Sequence, residues 1–445
     1  QRESTHTAGP SGPERGDPVS APTTTSARAS RPYDEADLSS LAFWQATAAE
    51  REKTFALLRR ERPVTWHPRS ETAMFDDPND EGFWAVVRHR DLVEVTKRHD
   101  DFISGQGIVF ESLPPELLDA GQSFIAMDRP RHSKIRRLVS SAFTPRQLRR
   151  IDDRIRANAK KIVDDLAPRG EADWVTDAAL LLPMHNICDM IGIPDADRLR
   201  VAERSRYVGG WNDPEVMRGR PILETMFNNM VEGREYTLWL AAQRREDPKD
   251  DLMSALVHAE VDGEGLTDHE VAAFFSLLTI AGNDTTRQSL SLTMHALTQF
   301  PDQRAWLLED FEGRIGTAVE EFVRWATPIM TFRRTAAHDT ELNGTQITAG
   351  DKVIMFYASA NWDTEVFDHP ERFDLSRNPN PHVSFGGGGI HHCLGIQLAR
   401  TQISALYREV LHRLPDIESV GEPVFGVNNF FHTVNHLPVR FTPQR

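Results

Sequence analysis

The longest apolar run, Val271 to Gly282 (VAAFFSLLTIAG), opens a stretch that nothing strong interrupts before Pro301. Thr267-Asp-His-Glu270 precedes it as a capping box, with Leu266 and Val271 as a staple and Asp268 where the helix dipole favours an anion. The pattern predicts one helix of about 32 residues, roughly 48 Å at 1.5 Å per residue and long enough to cross a whole domain. Other segments are shorter. Ala42 to Arg60, Asp91 to Arg98, Pro145 to Leu166 and Ile222 to Arg245 carry helical patterns, and Phe83–Val87, Val353–Tyr357 and Pro438–Phe441 read as strands. Residues 102–126 mix Gly, Pro and apolar side chains without a sustained period, and a long irregular segment in a compact domain is often functional.

The long helix breaks its own pattern halfway. After the apolar run come Ala281-Gly282-Asn283-Asp284-Thr285-Thr286. Glycine inside a helix costs about 1 kcal/mol relative to alanine, and Asp and Thr compete with the backbone for hydrogen bonds. A kink with satisfied polar groups is the bland reading. Several broken preferences together point instead to a site where something large and flat approaches the backbone, beside an acid and an alcohol.

A second anomaly is Phe385-Gly-Gly-Gly-Gly389-Ile-His-His-Cys393-Leu-Gly395, followed by an amphipathic helix with Leu394, Leu398, Ile403, Leu406, Val410 and Leu414. Cys393 thus stands at a helix start, among amides that stabilise a thiolate. A phosphate loop would need Lys-Ser/Thr after the glycines. Zinc finds no CxxC partner, and three adjacent residues cannot converge on one tetrahedral ion. A heme iron held by a single thiolate needs one cysteine and a glycine-rich loop with amides aimed at sulfur. An inert buried cysteine leaves the glycines unexplained.

Two weaker features complete the set. In Asp128-Arg-Pro-Arg-His132-Ser-Lys-Ile-Arg136, His132 and Arg136 share a helix face and suit a pair of carboxylates. In Glu321-Phe-Val-Arg324 the i, i+3 spacing sets carboxylate beside guanidinium, and Arg372 is a candidate third member.

Composition narrows the class. Residues 1–34 form an expected disordered tail: Gly, Pro, Ser and Thr dominate it, and Val19 is its only sizeable apolar side chain before Tyr33. Residues 35–445 are expected to be one domain. A net charge of −15 argues against nucleic acid and anionic membranes as main partners. Two cysteines, Cys188 and Cys393, exclude a disulfide scaffold. No apolar run approaches a membrane span, and no signal-peptide core precedes the domain, so the expected setting is cytoplasmic.

Taken together, these motifs resemble the cytochrome P-450 family of heme-thiolate monooxygenases, over about residues 35–445. Phe385–Gly395 is similar to its cysteine-ligand loop, Ala281–Thr286 to its oxygen-activation helix and Glu321–Arg324 to its ion-pair motif, all in the right order. The resemblance implies a mainly α fold with small β-sheets, the P-450 prism, with heme b (iron protoporphyrin IX) between the long central helix and the cysteine loop. It implies Cys393 as the metal ligand and Asp284 with Thr285 as the acid–alcohol pair. Ala281, Gly282, Phe385, Gly389 and Gly395 would line the cofactor. His132, Arg136, Arg334 and His391 would hold its propionates, with Arg333 pointing away. Phe385 lies eight residues before the cysteine rather than the commoner seven, so Gly386 takes the usual aromatic slot.

Substrate and partners follow from the same resemblance. O2 is a substrate, together with an apolar small molecule in a pocket lined by Phe274, Leu278, residues 329–332, the 102–126 segment and residues 428–432. Ferredoxin and ferredoxin reductase would supply electrons, since no flavin or iron–sulfur motif is present, with docking near Arg129, Arg131, Lys134 and Arg137. The stretches RRTAAHDTELNGT and NPNPHVSFGGGG resemble an actinobacterial branch whose members hydroxylate steroid side chains and methyl-branched lipids. Tailoring of a polyketide-like metabolite, peroxygenase chemistry, a non-catalytic heme-binding protein and a cysteine hydrolase are the alternatives.

Overall fold

The computed structural model describes residues 31–71, 73, 77–141 and 145–444. Tyr33–Arg445 form one compact unit. The expected tail lies outside the described residues up to position 30. At its end, the Tyr33 hydroxyl donates to the Glu81 carbonyl (3.1 Å), and Asp34 takes the Arg62 guanidinium at 2.8 Å.

The helix expected over 42–60 is two helices, α1 (Leu41–Gln45) and α2 (Ala48–Glu61). Ala46 ends the first and Thr47 caps the second: its hydroxyl accepts from the Glu50 amide while the Glu50 carboxylate accepts from the Thr47 amide. A five-stranded sheet follows, made of β1 (Val64–His67), β2 (Phe83–Val86), β3 (Phe102–Ile103), β4 (Thr331–Ala336) and β5 (Lys352–Phe356). Its order is β1-β2-β5-β4-β3, with β2 and β5 parallel and the other pairs antiparallel. Helix α3 (His89–Lys97) leads from β2 to β3. The 102–126 segment is largely irregular, with a short helix at Pro115–Ala120.

The helical body comprises α4 (Arg131–Ser141), α5 (Pro145–Leu166), α6 (Leu181–Ile191), α7 (Arg198–Gly209), α8 (Ile222–Glu246), α9 (Asp268–Gln299), α10 (Phe311–Ala326) and α11 (Ile396–Arg413). The expected long helix is α9, 32 residues opened by the Thr267–Glu270 capping box. Its two apolar halves serve different cores. Val271, Phe274 and Phe275 pack with α6 and α8, whereas Leu290, Met294 and Leu297 pack with α5, α10 and α11. The second core is pinned by one carbonyl: Trp174 Nε1 and the Tyr407 hydroxyl both donate to Leu290 O, at 3.1 and 2.6 Å. The polar break at 281–286 falls between the two cores, and most of it is still buried: Asn283, Asp284 and Thr286 are all covered.

The Glu321–Arg324 pair is wholly buried, with Nε to Oε2 at 2.8 Å. The expected third member, Arg372, is not in the pair: only its carbonyl participates, accepting from Arg324 Nη2 at 3.3 Å. Arg377 takes the place, its Nε 3.1 Å from Glu321 Oε2. The chain wraps around the pair after Pro370, so the later arginine reaches it. Asn361 carries the pair's rigidity onward. Its carbonyl accepts from Arg324 Nη1, its side-chain oxygen from the Val383 amide, and its amide group donates to Ser384 Oγ. The root of the cysteine loop is thereby fixed to a buried ion pair.

Candidate heme site

A cavity of about 620 Å³ lies between the middle of α9 and the cysteine loop. On the α9 side its wall includes Ala281, Gly282, Thr285 and Thr286. On the loop side it includes Phe385, Gly386, Gly388, His391, His392, Cys393 and Gly395.

The loop is a turn that only glycine builds. Gly386, Gly387, Gly388 and Gly389 all have positive φ, at 105°, 63°, 92° and 92°. At Gly389 a Cβ would stand 2.2 Å from the Thr96 carbonyl oxygen, so backbone meets backbone there. The Cys393 amide closes the turn by donating to Phe385 O at 3.0 Å. Helix α11 begins three residues later, at Ile396, so Cys393 precedes the helix rather than opening it. Burial pushes its thiol pKa up, while the Gly395 amide, Arg136 and Arg400 act the other way and favour a thiolate. The extra loop residue does not remove Phe385 from the site. Its ring lines the cavity, with the Arg400 guanidinium 5.5 Å from its centroid.

On the opposite wall, Thr285 Oγ1 donates to Ala281 O at 2.7 Å. Gly282, expected to leave room for the bound group, does line the cavity, but its missing Cβ makes room for α6: a methyl there would stand 2.4 Å from Ile187 Cδ1. Asp284 stands off the wall beneath the end of α7, 1 % exposed, with Oδ1 2.6 Å from Arg287 Nη2. Burial raises its pKa, opposed by Arg287 and Arg206.

Donors gather at one edge of the cavity, some on its wall and two, His132 and Arg136, just behind His391 and His392. Arg334 lines the cavity, while its neighbour Arg333 turns away to donate to the Glu111 carbonyl at 3.3 Å. Arg136 spends Nη2 on the His392 carbonyl (2.7 Å) and leaves Nη1 without a hydrogen bond. The His132 and His391 rings lie 4.4 Å apart. Among the described residues, neither His132 nitrogen nor His391 Nδ1 has a hydrogen-bond partner. Burial, with Arg136 nearby, pushes His132 down to about 4; burial, with Arg334, His132 and Arg136, pushes His391 down to about 2. Buried donors without acceptors are costly, and an anionic edge would satisfy this set. A thiol at a loop, a slot walled by helix backbone and apolar rings, and donors along one rim fit a flat, dicarboxylated macrocycle. Among the described residues, no three His, Cys, Asp or Glu side chains gather as a bare metal ion would need.

Residues 179–415 match the family model described as Cytochrome P450. The chain belongs to the cytochrome P450 family. It is 41% identical over 418 residues to the methyl-branched lipid omega-hydroxylase of Mycobacterium tuberculosis, covering 92% of this chain and 96% of that protein. It is 39% identical over 376 residues to the steroid C26-monooxygenase of Rhodococcus jostii, covering 83% and 77%. The structure superposes on a Mycobacterium marinum cytochrome P450 in complex with pseudoionone with a TM-score of 0.89 and 57% identity, over 93% of this chain and all of that one. The protein is a heme-b-dependent cytochrome P450 monooxygenase with the mainly helical fold of its family.

One expectation about the P450's surroundings needs correction. Residues 428–432 do not line the cavity. They form a clasp behind it: Asn428 Nδ2 donates to Gly209 O at 2.6 Å, and Asn429 Nδ2 donates to Glu111. On α4 the basic residues stand beside acidic ones: Arg131 pairs with Glu270 at 2.6 Å, Lys134 with Glu264, and Arg137 with Asp262 at 3.5 Å. Sequence reasoning also missed Tyr357, buried on the cavity wall beside Arg334, and Ser104, which meets His391. Neither lies in a motif, and only the folded chain brings them there.

Beneath Phe385, Glu320 joins α10 to α11 through Arg400 (2.6 Å) and meets His382 Nε2 at 3.1 Å. Burial alone would raise its carboxyl pKa, but His382 and Arg400 override that and hold it at about 2. The folded value lies below the ordinary 4.5, so the pairing stabilises the fold above pH 4.5 and is lost as pH falls toward 2. Urea unfolding of Glu320→Gln is expected to show lower stability at neutral pH and a flatter decline below pH 4.5 than the parent.

Proposed function

We propose that this P450 hydroxylates an apolar, methyl-branched chain, and that Cys393 Sγ would hold the heme iron. The observation that carries the substrate class is the cavity wall: Phe124, Ile125, Phe274, Leu278, Ile329 and Phe332 leave it apolar above the loop. The 57%-identical relative crystallised with pseudoionone, an acyclic methyl-branched molecule, and the 41%-identical lipid hydroxylase support the same class. Spin-shift titrations with pseudoionone, a methyl-branched acyl chain, its linear counterpart and a sterol test it. Tighter binding of the branched acyclic ligands is expected; preference for the linear chain, or for the sterol alone, overturns it.

When bound, heme supplies the oxygen chemistry, taking two electrons to place one atom of O2 in a C–H bond and release the other as water. The protein's part is to hold and to feed protons. Cys393 would present its sulfur as a thiolate, favoured by the Gly395 amide, Arg136 and Arg400. His132, Arg136, Arg334 and His391 would hold the macrocycle's carboxylates. Thr285 keeps its hydroxyl proton on Ala281 O and so offers its oxygen to a donor in the cavity. Asp284, its pKa raised by burial, takes up a proton more readily than a surface carboxylate, and rotation about its side chain would carry that proton from beneath α7 toward Thr285. Thr285→Ala is then expected to raise peroxide formed per NAD(P)H several-fold and to lower product by a similar factor. Unchanged coupling removes Thr285 from proton delivery.

Electrons would come from a ferredoxin and its reductase in a cytoplasmic setting. Docking would use Arg129, Arg131, Lys134 and Arg137, joined by the exposed Lys97, which lies beside Gly388 at the cysteine loop.

A further inference from the structure

We propose that Ser104 is a positioning residue that makes His391 a hydrogen-bond donor toward the heme carboxylates. The role rests on the reading of His391 as one of the carboxylate-holding donors. Ser104 follows β3 directly, at the start of the irregular 102–126 segment. Its backbone is fixed from below by one carboxylate: the Ser104 amide donates to Asp128 Oδ1 at 2.8 Å and the Gly105 amide to Oδ2 at 2.9 Å. A Cβ at Gly105 would stand 2.8 Å from Asp128 Oδ2, so a side chain there would push the carboxylate aside. The turn is thus held in one place, and it carries the Ser104 hydroxyl, on a residue 1 % exposed, to 3.1 Å from His391 Nε2.

A neutral imidazole carries one proton, and the group bonded to one nitrogen decides which nitrogen holds it. Two arrangements are available. If the hydroxyl donates to Nε2, the proton sits on Nδ1, and His391 shows the cavity edge an N–H beside Arg136 and Arg334. If Nε2 donates to the hydroxyl, Nδ1 turns a lone pair toward that edge, where it repels a carboxylate. The serine proton is then left to find an acceptor, and among the described residues the hydroxyl meets no group but His391. The first arrangement satisfies both partners. Among the described residues His391 Nδ1 has no partner, so a carboxylate at the edge completes the chain Asp128–Ser104–His391. The motif around Cys393 supplies the histidine, and a residue 287 positions earlier sets which way it donates.

The test uses the heme-loaded full chain. Ser104→Ala is expected to speed transfer of heme to excess apomyoglobin about five- to tenfold, the loss of one net hydrogen bond, and to move the heme midpoint potential negative. In a His391→Ala background the same change is expected to alter neither quantity further. Parent-like heme transfer and potential in Ser104→Ala overturn the role. So does a full Ser104→Ala effect that persists without His391, because serine then acts through something else. If His391→Ala alone leaves both quantities at the parent value, the failure lies in the reading of His391 as a carboxylate donor, and the role of Ser104 falls with it.

Discussion

Glu321→Ala is expected to yield little or no soluble, heme-loaded protein. Glu321 is fully buried and accepts from five donors: Arg324 Nε and Nη2, Arg377 Nε, the Asn380 amide group and the Asp374 backbone amide. Removing the carboxylate strands the Arg324 charge in the core. Breaking such a pair costs about 3–5 kcal/mol, against a total stability of about 5–15 kcal/mol for a typical domain. The loss also reaches the site, because Arg324 holds the Asn361 carbonyl and Asn361 holds Val383 and Ser384 at the root of the cysteine loop. Glu321→Gln keeps the shape but not the charge and is expected to fall between the two. Soluble yield and heme content per chain, by pyridine hemochrome, are the measurements. A Glu321→Ala protein with parent-like yield and heme content would show that the pair does not anchor the loop.

The second large effect concerns function without folding. Cys393→Ser is expected to bring hydroxylation with a redox system down to background while leaving a folded protein. The substitution is nearly isosteric, and the loop's shape comes from four glycines and the Cys393 amide rather than from sulfur. The donors on His132, Arg136, Arg334 and His391 remain, so the variant is expected to retain bound heme, with weaker hold. Product formation and circular dichroism on the same sample separate loss of the ligand from loss of the fold. Hydroxylation within a few-fold of the parent would refute Cys393 as the ligand.

Much of this architecture is legible in the amino-acid sequence, and the reasons are local. The Thr267–Glu270 box and the apolar period of α9 act over four residues at a time, so the 32-residue helix and its polar break can be read directly. The glycines of 386–389 announce positive φ, and with it the cysteine turn. What the sequence hides is non-local. Arg372 lies in a familiar-looking stretch, yet Arg377 reaches Glu321, because the path of the coil after Pro370 is set by tertiary packing. Gly282 stands out in the helix, but the neighbour that claims its space, Ile187, lies on another helix. Ser104, Tyr357 and Asn361 are ordinary residues in sequence; their contacts with His391, Arg334 and the loop root exist only once distant strands and coils converge. The split of 42–60 into two helices is different in kind. Thr47 and Glu50 form the same capping box that marks α9, and that signal is present but outweighed by the helical pattern on either side.

Activity would depend on one bond, between Cys393 sulfur and heme iron, across the slot from the interrupted helix α9. The absorption spectrum of the reduced, CO-treated protein tests it most directly, taken side by side for the parent and Cys393→Ser. A red-shifted Soret band in the parent that vanishes in the variant is the expected result. A parent without that band, or a variant that keeps it, would contradict the assignment.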